Sequence, residues 1–205
     1  MKSTTHYHLL LDMSGSMSSS RKITLESVNS QMQAIRKTKE IHPDQEIRVS
    51  LYTFNDTTYP VFRSLNPYQL PPINHNQYQP EGCTALLDAI GLSIADVEKS
   101  MTSMDDAVMV IITDGEENAS QGYSFKQIAN KIAALKKSER WVFSFLGADI
   151  DAWQTARHLN INREEVRSFD KNQTKETFEE LSRSMEDYMN AKNNGSRIKD
   201  FLRKQ

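Results

Sequence analysis

Ala107-Val108-Met109-Val110-Ile111-Ile112-Thr113 is an uncharged, β-branched run too apolar to have a wet face. It predicts a strand covered on both sides, which is how a central parallel strand reads. His6 to Leu11, ending Leu9-Leu10-Leu11, predicts a second such strand. Two strands of this kind need helices above and below the sheet. The chain supplies them: Leu25, Val28, Met32 and Ile35 mark a helix over 23–40, and Leu87, Ile90, Ile94 and Val97 mark another with the same core-facing spacing. Ser124 with Gln127 three residues on forms a capping box that opens a third helix through Lys137, with Phe125, Ile128, Ile132 and Leu135 as its stripe.

The remaining segments fit the same plan. Ile47, Val49, Leu51 and Thr53 alternate with Arg48, Ser50 and Tyr52 as a strand does, and Asn55-Asp56 turns the chain back. Thr58 to Leu65 then returns as an antiparallel strand, placed at the sheet edge by Pro60, which cannot donate to a ladder. Trp141 to Leu146 is a further strand, Gly147-Ala148-Asp149 a turn, 151–158 a short helix and Val166 to Phe169 a short sixth strand. A last helix over 175–191 packs through Phe178, Leu181, Met185 and Tyr188 and stops at Asn193-Asn194-Gly195. The fold class is therefore α/β, a doubly wound, Rossmann-like and mainly parallel sheet of about six strands with one antiparallel edge strand and helices on both faces.

Residues 1–191 are read as one domain and 192–205 as a basic tail, dangling in solvent, that carries Arg197, Lys199, Arg203 and Lys204. Residues 66–80, with Pro67, Pro71, Pro72 and Pro80, read as an exposed loop. Lys and Arg total 25 against 27 Asp and Glu, so no global field points to nucleic acid or to an anionic membrane. No stretch approaches the ~20 apolar residues of a membrane span, no leader is evident, and the single Cys83 excludes an internal disulfide. A cytoplasmic protein is expected. Cys83 is expected to be a packed small residue.

The chemistry concentrates in Asp12-Met13-Ser14-Gly15-Ser16, directly after the first buried strand. An extended chain projects alternate side chains the same way, so Asp12, Ser14 and Ser16 can converge. A carboxylate and two hydroxyls are hard oxygen donors suited to Mg²⁺ or Mn²⁺, not to Zn²⁺ or Cu⁺. Three ligands do not fill an octahedron. Thr84, before the second helix, and Asp114, after the 107–113 strand, can supply the rest, because a doubly wound sheet binds ligands at the carboxyl ends of strands where the winding reverses. Glu116 and Glu117 read as a solvated pair. The amino end of the second helix reads as a dipole with N–H groups open to an anion.

These five residues, in this order, resemble the metal-ion-dependent adhesion site of von Willebrand factor A (VWA) domains: Asp-x-Ser-x-Ser, then Thr, then Asp-Gly. The resemblance extends over about residues 5 to 190 and is closest to small stand-alone prokaryotic members. It implies one Mg²⁺ or Mn²⁺, with Ser14, Ser16 and Thr84 touching the ion and Asp12 and Asp114 acting largely through water. It also implies a protein partner that offers an Asp or Glu to the open position, and no catalysis. Two other readings share the residues. In one, a Mg²⁺-dependent phosphotransferase uses Asp12 as nucleophile; such enzymes carry a second carboxylate two residues on, where this chain has Ser14. In the other, the domain serves an AAA+ ATPase or metal-chelatase system. No Walker loop or His-Glu-x-x-His is present, and His6, His8, His42, His75 and His158 show no ligand spacing.

Overall fold

The computed structural model describes residues 3–148, 150–196, 198 and 201–202. Six strands form one sheet: β1 (Thr4–Asp12), β2 (Glu46–Phe54), β3 (Thr58–Leu65), β4 (Asp106–Thr113), β5 (Trp141–Ala148) and β6 (Val166–Phe169). Their order is β3-β2-β1-β4-β5-β6, all parallel except β3, which runs antiparallel along β2 at the edge. Among the described residues four α-helices lie between strands, α1 (Arg21–Ile41), α2 (Leu86–Ser100), α3 (Phe125–Lys137) and α4 (Ala152–His158), and a fifth, α5 (Thr174–Asn193), follows β6. The expected doubly wound sheet is the observed one.

The buried runs divide by parity, as the pleat requires. Val108, Val110 and Ile112 of β4 join Leu9 and Leu11 of β1 in the core beneath α1 and α5. Ala107, Met109 and Ile111 join Leu10 in the core beneath α2, α3 and α4. Each helix stripe lies on the matching face: Val28, Met32 and Ile35 with Leu181 and Met185 on one side, and Ile90, Ile94, Ile128 and Ile132 on the other. Between α1 and α5 the buried Gln31 receives the Ser182 hydroxyl (2.7 Å) and donates to the Tyr7 hydroxyl (3.1 Å). That pairing offsets the cost of burying an amide. Ser124 and Gln127 form the reciprocal capping box at the head of α3.

Two expectations give way. Residues 66–80 are no exposed loop throughout, since Leu70, Ile73 and Tyr78 are buried in the α1 and α5 core. Side chains of α1 hold this segment by its carbonyls: Arg21 binds those of His75 and Tyr78, Arg36 those of Pro67 and Leu70, and Asn29 pairs both ways with Ile73. Pro-rich composition signalled irregular backbone correctly, but irregular backbone can be buried once side chains satisfy its polar groups. The tail also packs where it is described. Ile198, Phe201 and Leu202 are buried, and the Phe201 ring lies 6.1 Å from both Tyr7 and Tyr188. All three belong to the core beneath α1 and α5. Arg197, Lys199, Arg203, Lys204 and the turn residue Asp149 lie outside the described residues.

Candidate metal centre

β1 and β4 are neighbours, so their carboxyl ends bring Asp12 beside Thr113 and Asp114 although a hundred residues separate them. The Asp12 side chain is buried among donors: Oδ1 accepts the Ser14 N–H (2.7 Å) and Oδ2 the Thr113 hydroxyl (2.5 Å). After Ser14 the chain tightens into a 3₁₀ turn over Gly15–Ser20. The Ser14 and Ser16 hydroxyls are thereby 3.0 Å apart, and Ser16 donates to Asp114 Oδ1 (2.5 Å). From below, the buried Tyr78 hydroxyl donates to the Asp12 carbonyl (2.8 Å). Sequence reading missed that contact because Tyr78 stands in a segment expected to be exposed.

Thr84 arrives on a strand-to-helix connection pinned at both ends. The Gly82 carbonyl accepts the Gly15 N–H (3.1 Å), and Ala85 N–H binds the Asn55 carbonyl (2.8 Å). Gly82 adopts φ +74°, and a Cβ there would lie 2.0 Å from Asp56 Oδ2, the same oxygen that accepts the Cys83 N–H (3.0 Å). Only glycine fits. Across the cradle, Asn118 Oδ1 accepts the Thr84 N–H (2.8 Å), and the Asn118 N–H returns to the Thr84 carbonyl (3.1 Å).

A single point locates the cradle. A Cβ built on Gly115 would fall 2.8 Å from Thr84 Oγ1 and 3.6 Å from both Asp12 Oδ2 and Ser16 Oγ. Three oxygens from two remote stretches thus face a residue of a third stretch that has no side chain. Ser14 and Asp114 adjoin it through Ser16. The structure brings all five of Asp12, Ser14, Ser16, Thr84 and Asp114 together, with Ser16 and Gly15 on the solvent side and the others buried. The donor set is two carboxylates and three hydroxyls, which suits a hard divalent cation. Among the described residues no group of three or more His, Cys, Asp or Glu is placed to hold a metal ion, so any ion at this site would depend on the hydroxyls as well. Burial pushes the Asp12 carboxyl up to about 6, against the pull of the Thr113 hydroxyl and Ser14 N–H, and the Asp114 carboxylate adds to the rise. A cation between the two carboxylates would favour the charged form of Asp12.

Other readings of this region are corrected. Glu117 is not half of a solvated pair: its Oε1 accepts the N–H groups of Ala119 (3.0 Å) and Ser120 (2.8 Å), and its Oε2 those of Leu87 (2.9 Å) and the Ser120 hydroxyl (2.8 Å). Ser120 Oγ takes the Asp88 N–H (3.0 Å). The amino end of α2 is therefore capped from within, so those N–H groups do not await an anion. Cys83 is exposed, not packed.

The sequence of residues 8–184 matches the model of the von Willebrand factor type A domain. No curated protein sequence matches the chain. Among solved structures, proximal thread matrix protein 1 of the mussel byssus, with a zinc-occupied MIDAS motif, is similar at TM-score 0.58 and 14% identity, over 90% of this chain and 46% of that one. The pilus adhesin SpaC of Lactobacillus rhamnosus GG aligns at TM-score 0.67 and 13% identity, over 91% and 30%. Manganese-loaded TRAP of Plasmodium vivax aligns at TM-score 0.58 and 17% identity, over 84% and 71%. This chain spans less than half the length of the mussel protein and of the adhesin.

Proposed function

Since the chain belongs to the von Willebrand factor type A family, we propose that it is a metal-dependent protein-binding module. Asp12, Ser14, Ser16, Thr84 and Asp114 would hold one Mg²⁺ or Mn²⁺. The observation that carries this reading is the convergence of Thr84, Asp12 and Ser16 oxygens on the space beside Gly115. Similar structures loaded with zinc or manganese support a divalent cation. When bound, the ion supplies a Lewis-acidic position that an Asp or Glu of a partner protein can fill.

The chain's own residues set that preference. Three of the five donors are neutral hydroxyls, so two carboxylates alone face the ion's charge and leave it attractive to a third. The hydrogen bonds from Ser14 N–H, Thr113 and Ser16 orient the two carboxylates and hold them in place. The Asn118 clamp fixes Thr84 opposite. Position 14, where a phosphotransferase would carry its second carboxylate for acid and base work, is Ser14, which disfavours enzymatic use of Asp12.

Calorimetric titration of metal-free protein with Mn²⁺, alongside Ser14→Ala and Asp12→Asn, tests the site. One saturable ion in the wild type and weakened binding in both variants is the expected result; no binding, or equal binding by all three, contradicts it. Capture of proteins from lysate in Mg²⁺ against chelator, with Ser14→Ala as control, then tests whether partners depend on the ion.

A further inference from the structure

Lys171 reaches this cradle from the 3₁₀ turn that follows β6. Its ammonium stands 2.7 Å from Asp114 Oδ2 and 3.3 Å from the Ser16 carbonyl, while Asp114 Oδ1 is engaged by the Ser16 hydroxyl. The Asp114 side chain is wholly buried and that of Lys171 only 23% exposed. The position is built. β6 ends at Phe169, and Asp170 then caps a 3₁₀ turn (Lys171–Gln173) by accepting the Asn172 N–H at 2.7 Å. The Thr174 hydroxyl at the head of α5 closes on the Lys171 carbonyl at 2.6 Å. A lysine so held cannot be described as a passing surface charge.

We propose that Lys171 is a tethered cation that competes with the divalent metal for Asp114, so that the protein holds either its own ammonium or the ion at this carboxylate. The proposal rests on the metal reading of the site and adds its regulation. An ammonium and a divalent cation a few ångströms apart repel strongly in a partly buried site. Metal entry therefore requires Lys171 to withdraw from Asp114. The fraction of molecules with Lys171 withdrawn scales the apparent metal affinity, as for any binding-competent minor state.

Mn²⁺ affinity is measured by calorimetry and electron paramagnetic resonance for metal-free wild type, Lys171→Gln, Lys171→Arg and Asp12→Asn. Lys171→Gln should bind Mn²⁺ about tenfold or more tighter than wild type, with Lys171→Arg close to wild type. Equal affinity in Lys171→Gln and wild type, lost in Asp12→Asn, leaves the metal site standing and overturns the role of Lys171. Absence of saturable binding in every protein overturns the metal reading and this proposal with it. Thermal melts give an independent measure. In chelator, Lys171→Gln should melt below wild type because Asp114 loses its counter-charge, and saturating Mn²⁺ should close or reverse that gap. A gap that metal leaves unchanged overturns the competition.

Discussion

At the scale of single residues, the cradle depends on one missing side chain and several well-placed donors. Asp12, Ser14, Ser16 and Asp114 could be placed together because they follow buried strands, and strand ends in a doubly wound sheet share an edge; Thr84, in the loop before α2, was added by the resemblance to VWA domains. Gly115 matters because a Cβ there would lie 2.8 Å from Thr84 Oγ1 and 3.6 Å from Asp12 Oδ2 and Ser16 Oγ. Gly115→Ala should abolish or weaken Mn²⁺ binding at least about tenfold while the protein stays folded, since the new methyl meets Thr84 Oγ1 but no backbone. Calorimetry with a circular dichroism melt checks both halves. His8 offers a test of another kind. Buried and stacked on Tyr52 (4.7 Å, 27°), it is held at about 3 by burial, from an ordinary 6.5, with His6 pushing the same way and Asp96 opposing. Between those values the unfolded chain binds a proton that the folded ring refuses, so its contribution is full above pH 6.5 and is lost as the pH falls toward 3. His8→Phe should remove about 2 kcal/mol of the stability lost between pH 7 and 5. Urea unfolding at the two pH values decides, and parallel losses in wild type and variant would contradict it.

At the scale of elements, helix stripes and the capping box of α3 read directly from local spacing, because a helix is satisfied within its own sequence. The amino end of α2 did not. Its cap is Glu117, thirty residues downstream, and nothing local to either segment announces the pairing. Asp88 returns the favour by accepting the N–H groups of Gln121, Gly122 and Tyr123 at 2.8–2.9 Å. Together with Asn118 these contacts latch the 116–123 loop to the head of α2, and so place Thr84 over Asp12. Glu117→Ala should cost about 1.5–3 kcal/mol, the range for hydrogen bonds to charged groups. It should also weaken metal binding, because Thr84 loses its support. Denaturant titration and the Mn²⁺ isotherm of the same variant test the two effects together; a stable variant with intact affinity would show the latch to be dispensable.

At the scale of the whole molecule, the α1 and α5 core is closed by segments whose composition argued for solvent. Tyr78 supports the cradle from a Pro-rich stretch, and Ile198, Phe201 and Leu202 cover Tyr7 and Tyr188 from the end of the chain. Phe201→Ala removes a fully buried ring and should lower stability by about 3–5 kcal/mol. A shift in the urea midpoint below about 1 kcal/mol equivalent would mean that this segment contributes little in solution. Such anchors escape sequence reading because a few apolar residues among prolines or lysines carry no period of their own. Their burial depends on bare core surface left elsewhere in the fold.

The amino-acid sequence by itself determined the sheet, the two helical layers and the strand-end position of Asp12, Ser14, Ser16 and Asp114, because periodicity and strand ends are properties of a chain read along its length. Only the tertiary structure decided what surrounds them. Whether a glutamate is solvated or caps a helix, whether a lysine faces water or Asp114, and whether a loop lies open or underpins Asp12 are contacts between distant segments. Their energies come from desolvation and distance, and neither has a value until the chain has folded.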